Sequence, residues 1–130
     1  MEITLNHTIV QSHNNVESAQ FYADIFDFEF VKEWGSFAVV KVNSTLSLDF
    51  TTNTKEFPSN HYAFKVSDQQ FDEIIGRVQS NNIAFGGDPS SVDDGEINHN
   101  YGGRGLTGMY RRQQQRCINT GCKWQIQMCK

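Results

Sequence analysis

Asn6-His7-Thr8-Ile9-Val10 and Asn60-His61-Tyr62-Ala63-Phe64 decide how this 130-residue chain reads. Each is an Asn-His pair that opens an alternating, strand-like run, and each is followed by a polar turn and a helix-forming stretch. The histidines are 54 residues apart, an interval that holds one βαβββ unit. A unit this small leaves one face of its sheet uncovered, so pairing two of them supplies a common core. The predicted architecture is α+β: two βαβββ repeats forming a curved mixed sheet within a single domain. Repeat one covers about residues 1–52 and repeat two about 59–130, with an atypical tail over 106–130.

Working outward, residues 3–12 alternate as one strand, with Ile3, Leu5, His7 and Ile9 on one side and Thr4, Asn6, Thr8 and Val10 on the other. Asn14 followed by Glu17 resembles a capping box. Val16, Ala19, Tyr22, Ala23 and Phe26 then recur at helical spacing as far as Asp27, which tolerates a left-handed terminus. Residues 28–33, 37–42 and 45–50 are three short β-rich runs separated by turn residues, which predicts an antiparallel meander. The polar loop 51–60 carries Pro58 and links the halves. The pattern then restarts with a strand over 61–66 and a second capping box at Ser67 and Gln70. Phe71, Ile74, Ile75 and Val78 form an amphipathic stripe over 68–81. Beyond it lie a short run at 83–85, a Gly/Asp/Ser-rich loop, a strand expected over 97–101, and the glycine cluster around Arg104.

Bulk properties narrow the function classes. A net charge of −4 gives no general attraction to phosphate backbones, which argues against nucleic acid as a partner. No apolar run approaches the roughly 18 residues of a membrane-spanning helix, and the first ten residues lack a signal-peptide pattern. The expectation is a soluble, cytoplasmic protein without membrane partners. Cys117, Cys122 and Cys129 all fall in the tail, at spacings that fit neither a disulfide framework nor a common zinc pattern.

Each repeat opens with a histidine on its first strand. His61, Ala63 and Lys65 share a face, while Tyr62, Phe64 and Val66 must turn toward the helix, which leaves His61 on the concave side. The repeat relation puts His7 in the matching place. In Thr45-Leu46-Ser47-Leu48-Asp49-Phe50 the leucines and Phe50 form the apolar face, so Asp49 points to the polar one. Two imidazoles and a carboxylate are a ligand set suited to a divalent transition metal with open positions. His13 is expected in solvent. His99 is an exposed loop residue or a substrate contact, and Arg104 either grips an anionic substrate group or clamps its own loop.

The run LNHTIV, the helix VESAQFYADIFDFEF, the LSLDF strand, the second HYAFKVS repeat and the segment INHNYGGRG resemble the glyoxalase/bleomycin-resistance proteins of the vicinal oxygen chelate superfamily over residues 3 to 106. In that family one ligand comes from strand one and one from strand four of each half. The resemblance therefore implies His7, Asp49 and His61 as metal ligands. Its fourth ligand, typically a glutamate, falls on Gln125 once an insertion is allowed, and no acidic residue follows Glu96. The implied function is a metal-dependent lyase, isomerase or dioxygenase-type enzyme using zinc, nickel, manganese or iron as a Lewis acid. The alternative is a metal-free protein that sequesters a small molecule such as an antibiotic. In either reading Phe37, His99, Tyr101 and Arg104 are candidate substrate contacts, the partner is a small molecule, and a homodimer is expected.

Overall fold

The structure is a computed structural model that describes residues 2–58, 60–88, 90–100, 102–109 and 123–128. It divides into two compact units, Met1–Pro58 and Ser59–Lys130. Unit one runs β1 (His7–Ser12), α1 (Asn15–Phe26), β2 (Glu29–Trp34), β3 (Phe37–Lys41), β4 (Ser47–Thr52). Unit two runs β5 (His61–Lys65), α2 (Asp68–Ser80), β6 (Phe85–Gly86), β7 (Gly105–Met109), β8 (Lys123–Gln127). The sheet orders are β1-β4-β3-β2 and β5-β8-β7-β6. In each sheet the first and last strands of the unit pair in parallel and the remaining neighbours are antiparallel. The two sheets are thus mixed and share one topology, as the Asn-His repeat requires.

Local chemistry sets the helix ends. Asn14 is extended and its side chain accepts from the Glu17 N–H, while Asp27 closes α1 in the left-handed region at φ 58°. Ser67 and Gln70 form a full capping box on α2. Helix α1 buries Ala19, Tyr22, Ala23 and Phe26, in a core completed by Val10, Ala38, Val40, Leu48 and Phe50. Among the described residues of unit two the buried apolar side chains are Phe71, Ile74, Val78, Leu106, Trp124, Ile126 and Met128.

Three boundaries differ from the sequence reading. β1 begins at His7, not at residue 3, and Ile3 and Leu5 are exposed. Its partner β4 also starts late, because Asn43 Oδ1 accepts from the N–H groups of Thr45 and Leu46 and curls that segment into a turn. Residues 97–100 form no strand: only Asn98 bridges to Gly105, and its side chain bonds Gly87 O and the Asn100 N–H in a turn. The third major strand of unit two is Gly105–Met109 instead. Its glycines hid it, and they serve the neighbouring strand. A Cβ on Gly108 would overlap the indole of the wholly buried Trp124, and one on Gly105 would overlap the Gln127 side chain.

Candidate functional site

Strand register decides which side chains meet. In unit one His7 pairs with Ser47 and Ile9 with Asp49 along the parallel β1/β4 ladder. Paired residues project from the same face, so His7, Ile9 and Gln11 stand with Ser47, Asp49 and Thr51, opposite the buried Val10, Leu48 and Phe50. His7 and Asp49 are therefore diagonal neighbours on the polar face. Asn6 Oδ1 accepts from His7 Nδ1 at 2.8 Å, which leaves the ring's lone pair on Nε2. β3 adds Phe37 to this face beside Thr51, and Trp34 lies opposite Phe37 on β2. Phe37 is half-buried and Trp34 exposed.

Unit two repeats the arrangement at the same offsets. His61 pairs with Lys123 and Ala63 with Gln125, so Gln125 holds the register place that Asp49 holds in unit one. Here the two side chains are bonded: His61 Nε2 donates to Gln125 Oε1 at 2.9 Å. Two ligand atoms on one ion, with bonds of about 2.1 Å at right angles, stand about 3 Å apart. The His61 and Gln125 donor atoms thus have the spacing of neighbouring ligands, and a cation could replace the proton between them. Among the described residues no three His, Cys, Asp or Glu side chains gather closely enough to hold a metal ion. Each unit instead presents a pair, His7 with Asp49 and His61 with Gln125.

Two residues of this face were missed by sequence reading. Thr107 is paired with Gln125 across β7/β8, is fully buried, and its hydroxyl has no partner among the described residues. Gln127 lies two residues beyond Gln125, and its carboxamide donates to the carbonyls of Gly103, Arg104 and Met128. The alternation in Trp124-Gln125-Ile126-Gln127 carries the signal for Gln127, since i and i+2 share a face. Thr107 gave no signal while its strand went unread.

The remaining candidates sort clearly. Arg104 donates to Asp72 Oδ1 at 2.8 Å and to Asp68 Oδ1 at 3.0 Å, and its guanidinium lies 4.4 Å from the Phe71 ring centre. The Asp72 hydrogen bond chiefly raises its pKa above the ordinary value. Arg104 thus ties its loop to the first turns of α2. His99 is exposed in the 97–100 turn. His13 is not solvated as expected: its ring lies 5.1 Å from that of Phe57, and its Nε2 is buried without a partner among the described residues. Tyr101, Cys117, Cys122 and Cys129 lie outside the described residues.

No protein-family model matches the chain, and no curated protein does. Solved structures do. Oxidase ChaP-H2 is 35% identical, with a TM-score of 0.85 over 100% of this chain and 96% of its own. Oxidase ChaP-H1 is 36% identical, with a TM-score of 0.83 over 99% of this chain and 98% of its own. The fosfomycin resistance protein FosX from Listeria monocytogenes, solved with Mn(II) and sulfate, shares the fold at 17% identity and a TM-score of 0.64, over 100% of this chain and 93% of its own. With the repeated βαβββ topology and more than a third of its residues in common with full-length relatives, the chain belongs to the vicinal oxygen chelate superfamily and has the glyoxalase/bleomycin-resistance fold.

Proposed function

We propose that the protein is a metal-dependent oxidase of a small organic molecule, with His7, His61 and Asp49 as the principal ligands and Gln125 as a neutral fourth donor. The observation that carries this reading is the matched register of the two pairs, His7 with Asp49 and His61 with Gln125, on equivalent strands of the two units. Two histidines and one carboxylate with open positions are the donor set of non-haem iron(II) oxygenases. The chemistry of the set therefore agrees with the name of the two relatives at 35% and 36% identity. A bound divalent ion would supply Lewis acidity and open positions for substrate oxygen atoms and dioxygen.

The chain's own residues prepare that site. Asn6 fixes the His7 ring so that Nε2 is the free donor. Gln125 supplies a carbonyl oxygen without charge, so Asp49 is the single anion in the set and the positions left open favour an oxyanion of the substrate. Phe37 and Trp34 offer aromatic surface on the Asp49 face for a flat substrate. The Thr107 hydroxyl beside Gln125 offers a hydrogen bond to a bound oxygen atom.

A metal-free small-molecule binder is the second reading, favoured by the lack of a three-residue His/Cys/Asp/Glu group among the described residues. One experiment separates the two. Chelator-stripped protein is loaded anaerobically with iron(II), and nitric oxide is added as a dioxygen surrogate. The oxidase reading expects the high-spin iron-nitrosyl signal in electron paramagnetic resonance, abolished by Asp49→Ala. Absence of the signal from the unmodified protein would leave the binder.

A further inference from the structure

We propose that Gln127 is a positioning residue whose buried carboxamide forces Gln125 to present its oxygen, and not its nitrogen, to His61. The proposal rests on the reading of Gln125 as a metal donor and adds the cause of its orientation.

Three groups that can only accept surround the end of Gln127. The carbonyl oxygens of Gly103, Arg104 and Met128 lie 3.3, 3.4 and 3.0 Å from Gln127 Nε2. None of them can donate, so the end of Gln127 that faces them must be its NH2 group. The other end, Oε1, then faces Gln125 and accepts from Gln125 Nε2 at 3.3 Å. With its nitrogen committed, Gln125 has only its oxygen left for His61, and that oxygen lies 2.9 Å from Nε2. Reversing Gln125 would set carboxamide oxygen against carboxamide oxygen. Reversing Gln127 would set its oxygen against three carbonyls.

The chain has made room for this relay. Gln127 is 5% exposed, so its polar atoms cannot turn to solvent. Gly105 lies directly opposite it on β7, and a Cβ there would overlap Gln127 Oε1. In unit one the places equivalent to Gly105 and Gln127 are Phe37 and Thr51, so the relay belongs to unit two alone. The orientation matters because an amide nitrogen has no lone pair to offer a cation, whereas the amide oxygen does.

The test is a double-mutant cycle in the full chain, read by manganese(II) affinity and by melting temperature. Gln127→Met, which keeps length but removes the carboxamide, should weaken manganese(II) binding about tenfold, the usual size of an outer-shell effect. Gln127→Asn, too short to reach Gln125, should do the same and guards against misfolding of the first variant. In a Gln125→Ala background either change should leave affinity unmoved while still lowering the melting temperature. Equal losses in both backgrounds would overturn the proposal and leave Gln127 a purely structural residue. The relay is also read without metal: the Gln125 side-chain NH2 signals should be shifted and ordered in the unmodified protein, and should collapse to solvent-like values in Gln127→Met. Unchanged signals would likewise overturn it. If the unmodified protein takes up no manganese(II), the metal reading fails, and the NH2 signals alone decide whether Gln127 orients Gln125.

Discussion

The two units place the same imidazole beside different partners. In unit one the diagonal neighbour of His7 is the Asp49 carboxylate, and in unit two the diagonal neighbour of His61 is the Gln125 carboxamide. Everything that sets the geometry is shared: the parallel pairing of first and last strand, the offset of two residues, the apolar residues on the opposite face. What differs is charge and its support. Asp49 stands with Ser47 and Thr51, whereas Gln125 is held by a second carboxamide that exists only in unit two. The fold thus dictates where each side chain stands, and the neighbouring strand decides which side chain that place will accept. The cores show the same division. Val40 and Leu48 pair in unit one where Gly108 and Trp124 pair in unit two, a small residue allowing for a large one.

The largest effect should come from removing the one carboxylate. Asp49→Asn is expected to weaken manganese(II) binding at least a hundredfold, on the order of 3 kcal/mol, because nothing else in the donor set offsets the ion's charge. Gln125→Ala should cost only about tenfold, an asymmetry that calorimetric titration reads directly.

Core exchange comes next. Gly108→Val installs the unit-one residue against Trp124 and should destabilise by about 3 kcal/mol through overpacking, seen in denaturant melts. Adding Trp124→Leu, which completes the unit-one pair, should recover most of that loss. No recovery would mean that the two cores are not interchangeable at this place.

These comparisons also show what the sequence displays and what it conceals. The Asn-His repeat, both helices with their caps, and β4 with Asp49 are legible because periodicity and capping are local signals. β7 is not, since its pattern of glycines makes sense only beside Trp124 and Gln127, residues that approach it from another strand. The same cause hides Thr107, whose significance is its register against Gln125. Gln125 itself is found from the family resemblance, whereas Gln127 becomes meaningful only with the carbonyls around it. Arg104 reads ambiguously because its two aspartates, Asp68 and Asp72, lie more than thirty residues earlier on α2.

Converting unit two toward unit one supplies a smaller effect of opposite sign. Gln125→Glu should raise manganese(II) affinity about tenfold by adding an anionic donor. The gain is tempered by the Gln127 oxygen that a carboxylate at 125 would meet. Combining it with Gln127→Met should enlarge the gain, and calorimetry distinguishes the two. The smallest expected effect is Arg104→Ala, about 1 kcal/mol in a thermal melt. Its ion pairs to Asp68 and Asp72 are largely exposed, and its packing on Phe71 adds a modest cation–π contribution. Part of that loss should vanish in 1 M salt, where exposed pairs are screened.

The proposed function requires that one ion be held by both unequal pairs. Titration of chelator-stripped protein with manganese(II) tests it most directly, in the unmodified chain and in His7→Ala and His61→Ala. One ion per chain is expected, lost in both variants alike. Two ions per chain, or binding that survives removal of either histidine unchanged, would contradict it.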